Sequence, residues 1–275
     1  MTDEALFWRD ALADHWPIEA GWQTLAGDFD LIFRDEYRVY IGTLADCDEA
    51  LVDLQVALLT HLASQTSPAP RSVATVNGQR VVRVKDANGT SRLCWAISAL
   101  PGELLVDCSP VDDALSHQIG ASIAVLHQSL DDFSHPTLKR TIKWDLREIL
   151  NVRETSTRYP THPLYETLQM ILENHTKGAM EAVSSLPVQA IHNDLNDHNL
   201  LCLANPLGAL HLTGIIDFGD AIEAPRVIDL AIAGAYLVLN TGRPFNMLFA
   251  LVDGYTSVTP MNEKEAALVW PLLLT

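Results

Sequence analysis

The 275-residue sequence is short of cysteine and of basic residues, and both shortages narrow its possible functions. No two cysteines have the Cys-x-x-Cys spacing of a zinc knuckle or a redox motif, so we interpret all of them as reduced, buried thiols. They are Cys47, Cys94, Cys108 and Cys202. Lysine and arginine number 18 against 35 aspartates and glutamates, which gives a formal charge of -17. Such acidity argues against nucleic acid as a partner and favours a cationic ligand.

The sequence also lacks a long apolar run. Its most apolar window, VIDLAIAGAYLVL (227–239), is interrupted by Asp229 and is shorter than the ~20 residues that span a bilayer, so it predicts a buried helix. The N-terminal segment MTDEALFWRDALADHW is acidic and has the pattern of an amphipathic helix, not of a signal peptide. We therefore expect a cytoplasmic protein with no membrane partner.

The first hundred residues carry strand patterns around one helix. WQTLAGDFDLIF and YRVYIGTL predict a hairpin, and Asn88-Gly89 between two strand-like segments predicts another. Between these hairpins, Asp46 and Glu49 have the spacing of a capping box that opens a helix. Its apolar residues recur at helical spacing at Leu51, Leu54, Leu58 and Leu62.

Helical patterns dominate after the linker-like ALPGELL. Ser109 and Pro110 open a helix with one apolar face, formed by Leu115, Ile119, Ile123, Leu126 and Leu130. Further helices are predicted in PLYETLQMILENHTKGAMEAVSSL, RVIDLAIAGAYLVL and FNMLFALVDGYTSV, and Thr259-Pro260 opens the last. The chain stops inside that apolar segment, so we expect it to be truncated at its C-terminus.

The stretch AIHNDLNDHNLLCL (190–203) concentrates polar side chains between apolar runs. His192, Asp194 and Asn199 have the spacing H-x-D-x-x-x-x-N, and the sequence DFG follows at 217–219 after a predicted strand-turn-strand. Phosphoryl transfer needs oxygen ligands for Mg²⁺ close to a carboxylate that orients the attacking hydroxyl. We predict Asp194 as the catalytic base, and Asn199 and Asp217 as Mg²⁺ ligands that the hairpin brings together.

Neighbouring polar residues have more than one interpretation. We predict His192 to be a packed, hydrogen-bonded loop residue and Asp229 to bind the backbone of the same loop. In the alternative, His192 and His198 would bind zinc with Asp194 or Asp217, as in a metallohydrolase. Asp220 and Glu223 are either solvated or attract a substrate ammonium group. Asp197 is either a turn former or a third acid that binds the substrate.

These motifs resemble the aminoglycoside phosphotransferase and choline kinase superfamily, most closely its hydroxylysine kinase-like branch. The resemblance is carried by IHNDLNDHNLL, TGIIDFGDA and VIDLAIAGAYLVL, and also by LPGELL, HPTLKRTIKWDL and GYTSVTPMNEKEAAL. It implies an α+β, protein-kinase-like bilobal fold. The N-lobe (1–98) would be a small antiparallel sheet with one inserted helix, followed by a linker (99–103) and a mostly helical C-lobe (104–275).

The resemblance also implies an activity. A phosphotransferase with an alcohol group as acceptor would move the γ-phosphate of ATP or GTP to a small hydroxylated amine, such as 5-hydroxylysine, with Mg²⁺. Related domains occur fused to aminotransferase-type domains, so such domains are expected downstream of this chain.

Two positions depart from the family pattern. Asn193 replaces the glycine of His-Gly-Asp, and Tyr40 stands where a lysine grips the nucleotide phosphates. Asp53 stands at the position of the acid that pairs with that lysine. Arg38, two residues before Tyr40, could substitute for the missing lysine. We therefore take Arg38, Tyr40 and Asp53 as nucleotide-binding candidates. A tyrosine supplies no cation, so a catalytically impaired pseudokinase module of a larger fused protein is the alternative.

Overall fold

The computed structural model describes residues 3–16, 23–25, 31–34, 39–44, 49–149, 157–173, 177–239 and 241–274. The chain divides into two compact units, Met1–Pro101 and Gly102–Thr275. This division falls inside the segment 99–103 that the sequence suggests as a linker. The assignment of the units as N-lobe and C-lobe of a kinase stays a prediction.

The first unit is an antiparallel sheet with helices α1 (Asp3–Leu12) and α2 (Glu49–Leu62). Its strands pair in the order β1-β2-β3-β6-β4, and β5 also pairs with β6. The strands are β1 (Gln23–Leu25), β2 (Leu31–Arg34), β3 (Val39–Leu44), β4 (Ser72–Val73), β5 (Val81–Lys85) and β6 (Ser91–Ser98). Helix α2 lies between β3 and β4 in the chain, as the sequence predicts.

The middle of strand β6 is buried on both faces of the sheet. Successive side chains of a strand point to opposite faces, so alternate residues of β6 belong to different cores. Cys94 and Ala96 belong to a buried cluster with Trp8 and Leu12 of α1 and with Trp16, which follows that helix. The intervening residues Leu93 and Trp95 pack instead with Val52 and Val56 of α2. The two helices thus contribute to separate small cores on β6.

Both predicted hairpins of the first unit are present. Strands β2 and β3 pair antiparallel, and so do β5 and β6. In the second hairpin, Asp86 accepts hydrogen bonds from the backbone N–H groups of Asn88 and Thr90, each at 2.9 Å. Gly89 has φ +83°, which glycine adopts without strain. In α2, the predicted apolar residues Leu54, Leu58 and Leu62 are buried; its predicted cap, Asp46, lies outside the described residues.

The second unit is mostly helical. Its helices are α3 (Asp113–Ser129), α4 (Tyr165–Ile171), α5 (Lys177–Val183), α6 (Val227–Val238), α7 (Pro244–Val258) and α8 (Glu263–Leu273). One small sheet has the order β10-β9-β7, from β7 (Glu103–Leu104), β9 (Leu200–Ala204) and β10 (Leu210–Ile215). A separate ribbon joins β8 (Gln189–Ile191) to β11 (Ile222–Ala224). No helix in the described ranges is both long and apolar enough to cross a membrane.

The predicted apolar face of α3 is confirmed, but two helix starts are wrong. All five predicted residues of that face are completely buried. Helix α3 begins at Asp113, after Ser109 and Pro110, because the Asp112 side chain caps the backbone N–H of Leu115 at 2.8 Å. Helix α8 likewise begins at Glu263, after Thr259-Pro260, where Asn262 and Glu265 form a capping box.

Helices α3 and α7 cross in backbone contact. A Cβ atom built on Gly120 would lie 1.9 Å from the carbonyl oxygen of Leu251, and one on Gly254 would lie 1.9 Å from that of His117. Such distances leave no room for any side chain, so these glycines set the spacing of the helices. The same helices carry His127 and Tyr255, which meet beneath the candidate active site.

Candidate active site

The two predicted metal ligands lie at the open end of one hairpin. Strands β9 and β10 pair antiparallel with Leu200 opposite Ile215, so Asn199 precedes the first strand and Asp217 closely follows the second. The backbone N–H of Ile216 donates to the carbonyl oxygen of Asn199 at 2.9 Å. The sequence prediction that a hairpin brings these segments together is confirmed.

Side-chain amides hold both oxygens of Asp194. The amide nitrogen of Asn196 donates to Oδ1 and that of Asn199 donates to Oδ2, each at 2.8 Å. Asn199 Nδ2 also donates to the carbonyl oxygen of Asp194 at 2.8 Å. These contacts fix the orientation of the Asn199 amide, whose Oδ1 is then the atom left to bind a cation.

His192 is completely buried and spends both ring nitrogens on backbone groups. Nε2 lies 2.9 Å from the carbonyl oxygen of Ile216, so it must carry the hydrogen, and Nδ1 accepts from the N–H of Asp194 at 3.2 Å. Its ring also packs on Phe218 at a centroid distance of 4.7 Å. A ring engaged in this way has no lone pair for zinc, which counts against the metallohydrolase. No group of at least three His, Cys, Asp or Glu residues in the described part of the chain is arranged to hold a metal.

Asp229 anchors the loop from below. Its carboxylate is fully buried and accepts from the backbone N–H groups of His192 at 2.9 Å and Asn193 at 2.6 Å. This is the contact with the loop backbone that the sequence led us to expect. His127 Nε2 lies 3.0 Å from the same carboxylate, and His127 Nδ1 lies 2.9 Å from the hydroxyl of Tyr255.

The chain from Tyr255 through His127 and Asp229 to the loop is a continuous buried hydrogen-bond network. Burial raises the pKa of the Tyr255 phenol, which therefore remains a neutral donor. Burial alone would also raise the pKa of Glu265, but hydrogen bonds from Arg226 and from the backbone of Asn262 hold it below its ordinary value. Arg226 bonds that carboxylate at 2.7 Å and lies over the ring of Tyr255. Sequence reasoning missed His127 and Tyr255.

Asn193 adopts a backbone conformation that few residues tolerate. Its φ is +68°, in the left-handed region where glycine is preferred and asparagine is the usual alternative. This explains how asparagine can stand where the family pattern has glycine. Its side chain is buried, and within the described residues neither amide atom has a hydrogen-bond partner.

The DFG turn is held by residues from the segment after α3. Asp217 is exposed and has φ +63°, and its side chain accepts from the N–H of Gly219 at 3.2 Å. Arg140 donates to the carbonyl oxygens of Gly219 and Ala221. The indole N–H of Trp144 donates to Oδ2 of Asp220 at 2.8 Å. Neither Arg140 nor Trp144 had been singled out from the sequence.

The acids of the loop and the turn are close enough for their charges to shift one another's pKa. Burial raises the pKa of Asp194, and the nearby charge of Asp217 adds to it, although the amides of Asn196 and Asn199 oppose the shift. Burial likewise raises the pKa of Asp220, with further contributions from Asp194 and Asp217. The geometry thus concentrates negative charge at the open end of the hairpin, where a cation would relieve the repulsion.

The remaining predicted residues are placed less completely. The backbone of Tyr40 lies in β3, in register with Arg34 and Ile97; its side chain and all of Arg38 lie outside the described residues. Asp53 is exposed on α2. Nucleotide binding by Arg38, Tyr40 and Asp53 stays a prediction.

Three predicted acidic or histidine side chains line the surface near the loop. Asp197 is half-buried, and its carbonyl oxygen accepts from the N–H of Val106 at 3.1 Å. Glu223 is half-buried in β11, opposite Ala190. His198 is exposed. The role of Asp197 and Glu223 in substrate binding stays a prediction.

The chain belongs to the phosphotransferase enzyme family, whose model matches residues 21–258. It is similar to the hydroxylysine kinase of Danio rerio, with 24% identity over 246 residues that cover 86% of this chain and 68% of the relative. The corresponding match to the Mus musculus enzyme is 25% identical over 231 residues, covering 78% and 60%. The match thus spans roughly two thirds of the length of these relatives.

Solved structures confirm the fold class. Amicoumacin kinase in complex with AMP-PNP and Ca²⁺ has a TM-score of 0.71 at 15% identity, covering 99% of this chain and 83% of that one. A microcompartment-associated aminopropanol kinase has a TM-score of 0.71 at 17% identity, covering 97% and 85%. The fold is therefore the α+β, protein-kinase-like one that the resemblance implied. The fused aminotransferase-type domains find no support in these comparisons.

Proposed function

We propose that this phosphotransferase is a magnesium-dependent kinase that transfers the γ-phosphate of ATP or GTP to a hydroxyl of a small amine, of the hydroxylysine type. The observation that carries the proposal is the arrangement of Asp194, which two amides hold beside Asn199 at the open end of the β9–β10 hairpin. A carboxylate fixed in this way is positioned to accept a hydrogen bond from an attacking hydroxyl.

Asp194 is the catalytic base in this proposal. Burial raises the pKa of its carboxyl, so its ionised form is a better proton acceptor than that of an ordinary aspartate. The hydroxyl proton would pass to Asp194 as the hydroxyl oxygen attacks the γ-phosphorus, and the bond from that phosphorus to the β–γ bridging oxygen would break to release ADP or GDP. The amides of Asn196 and Asn199 keep both carboxylate oxygens in place during this step.

Asn199 and Asp217 are the proposed Mg²⁺ ligands. An amide oxygen and a carboxylate are hard donors of the kind that Mg²⁺ prefers, and the ion would complete its shell with phosphate oxygens and water. The donor set fits because Asn199 Nδ2 is tied to Asp194 and Asp217 is exposed. When bound, the ion would neutralise charge on the transferred phosphoryl group. The Ca²⁺ and AMP-PNP bound to amicoumacin kinase support this assignment by analogy.

The acceptor class rests on charge and on the named relatives. The chain carries a net charge of -17, and acids cluster at the site, which suits a substrate with an ammonium group. The curated relatives are hydroxylysine kinases, and a structural neighbour is an aminopropanol kinase. A further structural neighbour, aminoglycoside 2'-phosphotransferase-IIIa, is a GDP complex, so GTP is proposed beside ATP as donor.

The second candidate is a pseudokinase, favoured by Tyr40 at the lysine position. A neutral phenol does not grip phosphate as a lysine does, and loss of one well-aimed electrostatic donor costs about 10² to 10³ in rate. Arg38 would have to replace that cation in an active enzyme. The active kinase and the pseudokinase are both expected to bind nucleotide, but only the kinase is expected to form product.

The test is turnover of 5-hydroxylysine with ATP or GTP and Mg²⁺ by the full chain. We expect phosphorylated product from the wild type and a loss of about 10³-fold on Asp194→Asn, because general-base catalysis is removed. Asp253→Asn, at an exposed acid of α7, is the matched control. Thermal stabilisation by the magnesium nucleotide without any product would overturn the kinase in favour of the pseudokinase.

A further inference from the structure

Trp144 is an exposed tryptophan in the segment that follows α3. The residue is 57% exposed, yet its indole N–H is fixed at 2.8 Å from Oδ2 of Asp220. Tryptophan is the aromatic side chain best suited to bind a cation on its face. A ring held in place by its edge, with most of its surface open to solvent, is therefore available to a ligand.

Asp220 supplies the second half of such a site. It lies three residues after Asp217, in the DFG turn that follows β10 at the same open end of the hairpin as the catalytic loop. Burial raises the pKa of its carboxyl, and the charges of Asp194 and Asp217 raise it further. Trp144 uses Oδ2, and Oδ1 accepts no hydrogen bond within the described residues.

The surrounding charge favours a cationic ligand at this point. Arg140 is the cation that acts on Asp220, but its guanidinium donates to the backbone carbonyls of Gly219 and Ala221. With Asp217 taken up as a metal ligand, the cation left near Asp220 would be Arg140, whose guanidinium is already bonded to those two carbonyls. An ammonium group bonded to Oδ1 would satisfy that acid while the indole face covered its apolar side.

We propose that Trp144 and Asp220 together recognise the ammonium group of the acceptor, next to the hydroxyl that is phosphorylated. This inference rests on the proposed function, since it names how that same site selects an amine. It also separates Asp220 from Glu223, the other acid considered after the DFG turn. Glu223 lies in β11 opposite Ala190, and no aromatic side chain is bonded to it in the described residues.

The experiment compares two acceptors that differ only in the ammonium group next to the hydroxyl. 5-Hydroxylysine carries an aminomethyl group beside its hydroxyl, and 5-hydroxynorleucine carries a methyl group there. Trp144→Ala and Asp220→Asn should each raise KM for hydroxylysine about tenfold and leave kcat little changed, because the ammonium is bound equally in ground and transition states. Turnover of hydroxynorleucine should fall much less than that of hydroxylysine, because only the support of the turn is lost with that acceptor. Trp270→Ala, at another exposed tryptophan of the second unit, is the matched control and should change neither KM nor kcat with either acceptor.

Trp144→Phe separates the two parts of the site. It keeps an aromatic face and removes the N–H donor, so we expect a loss smaller than that of Trp144→Ala. Equal losses with both acceptors would overturn the inference, because Trp144 would then only support the turn. Thermal melts of each variant check that the fold is retained.

Binding measurements keep the inference separate from the proposed kinase activity. In calorimetry with Mg²⁺ and a non-hydrolysable ATP analogue, the wild type should bind hydroxylysine about tenfold more tightly than hydroxynorleucine. Trp144→Ala should abolish this preference. Preferential binding without turnover would sink the proposed activity and leave the ammonium site standing. Turnover with no preference between the acceptors would do the reverse.

Discussion

The catalytic loop (192–199) precedes β9 and the DFG turn (217–220) follows β10, so both lie at the open end of the same hairpin. They are nevertheless held in different ways. The loop rests on Asp229, a fully buried carboxylate that binds two of its N–H groups and is itself bonded to His127. The turn is held by the half-buried Arg140 and the exposed Trp144. A loop fixed from the core is suited to positioning a base, whereas a turn held partly by an exposed side chain can meet ligands. Substitutions at each end should therefore have different consequences.

Asp229→Ala should have the largest effect. It leaves two buried backbone N–H groups and His127 without their acceptor, and each unpaired buried group costs about 1–3 kcal/mol. We expect the free energy of unfolding to fall by about 3 kcal/mol or more, and turnover to be lost with it. Urea unfolding followed by circular dichroism, with a parallel activity assay, measures both. Unchanged unfolding would show that Asp229 does not support the loop.

Arg140→Ala should have a smaller and more selective effect. Of the two residues whose carbonyls it releases, Gly219 is half-buried and can bond to water, whereas Ala221 is completely buried, so we expect a loss of about 1–2 kcal/mol in unfolding free energy. Displacement of the turn should raise the Mg²⁺ concentration needed for half-maximal activity about tenfold. Arg140→Lys should lie in between, because an ammonium lacks the planar fork of guanidinium. A magnesium dependence equal to that of the wild type would contradict this view of the turn.

Asn196→Ala should shift the pH profile without destroying activity. The hydrogen bond from Asn196 stabilises the ionised form of Asp194 and so lowers its pKa, while burial raises it. Removing the bond should raise the pKa further, so the acidic limb of kcat/KM should move to higher pH. Activity of the variant should thus be lost earlier than that of the wild type as the pH falls. A limb that stays in place would mean that another group controls it.

Asn193→Gly should have the smallest effect, although Asn193 lies between two key residues of the loop. Glycine adopts φ +68° without strain, and the substitution removes a buried amide that has no hydrogen-bond partner in the described residues. Against this, glycine raises the conformational entropy of the unfolded chain, which lowers stability. These contributions oppose each other, so we expect a change within about 1 kcal/mol in thermal unfolding. Asn193→Ala is the informative comparison, because alanine in the left-handed region costs about 1–2 kcal/mol. Alanine tolerated better than glycine would contradict the argument.

The same contrast explains what the sequence can predict. The motif around Asp194, the DFG turn and the hairpin that joins them are local patterns, and local spacing fixes which elements they form. Asp229 was predictable as well, because a lone carboxylate in an apolar helix needs a buried partner. The start of α3 was misplaced because the Asp112 cap outweighs the signal from Ser109 and Pro110.

His127, Tyr255, Arg140 and Trp144 could not be recognised in the same way. In a single sequence, the histidine of VLHQSL reads like any polar residue at the edge of an amphipathic helix. Its partners lie 102 and 128 residues further along the chain, so their meeting depends on how α3 packs against α6 and α7. Trp144 reaches Asp220 across 76 residues. Contacts of this kind arise from tertiary packing, which periodicity does not encode.

The crossing of α3 and α7 has a consequence for how this protein can vary. At Gly120 and Gly254 even the smallest added carbon would overlap the opposing backbone, so a library of all substitutions there should recover glycine alone. Every missense change at either codon would push apart the helices that carry His127 and Tyr255. Two positions with no chemistry of their own therefore deserve the same weight as Asp194 when harmful variants of this chain are sought, or when a designer chooses which residues to leave alone.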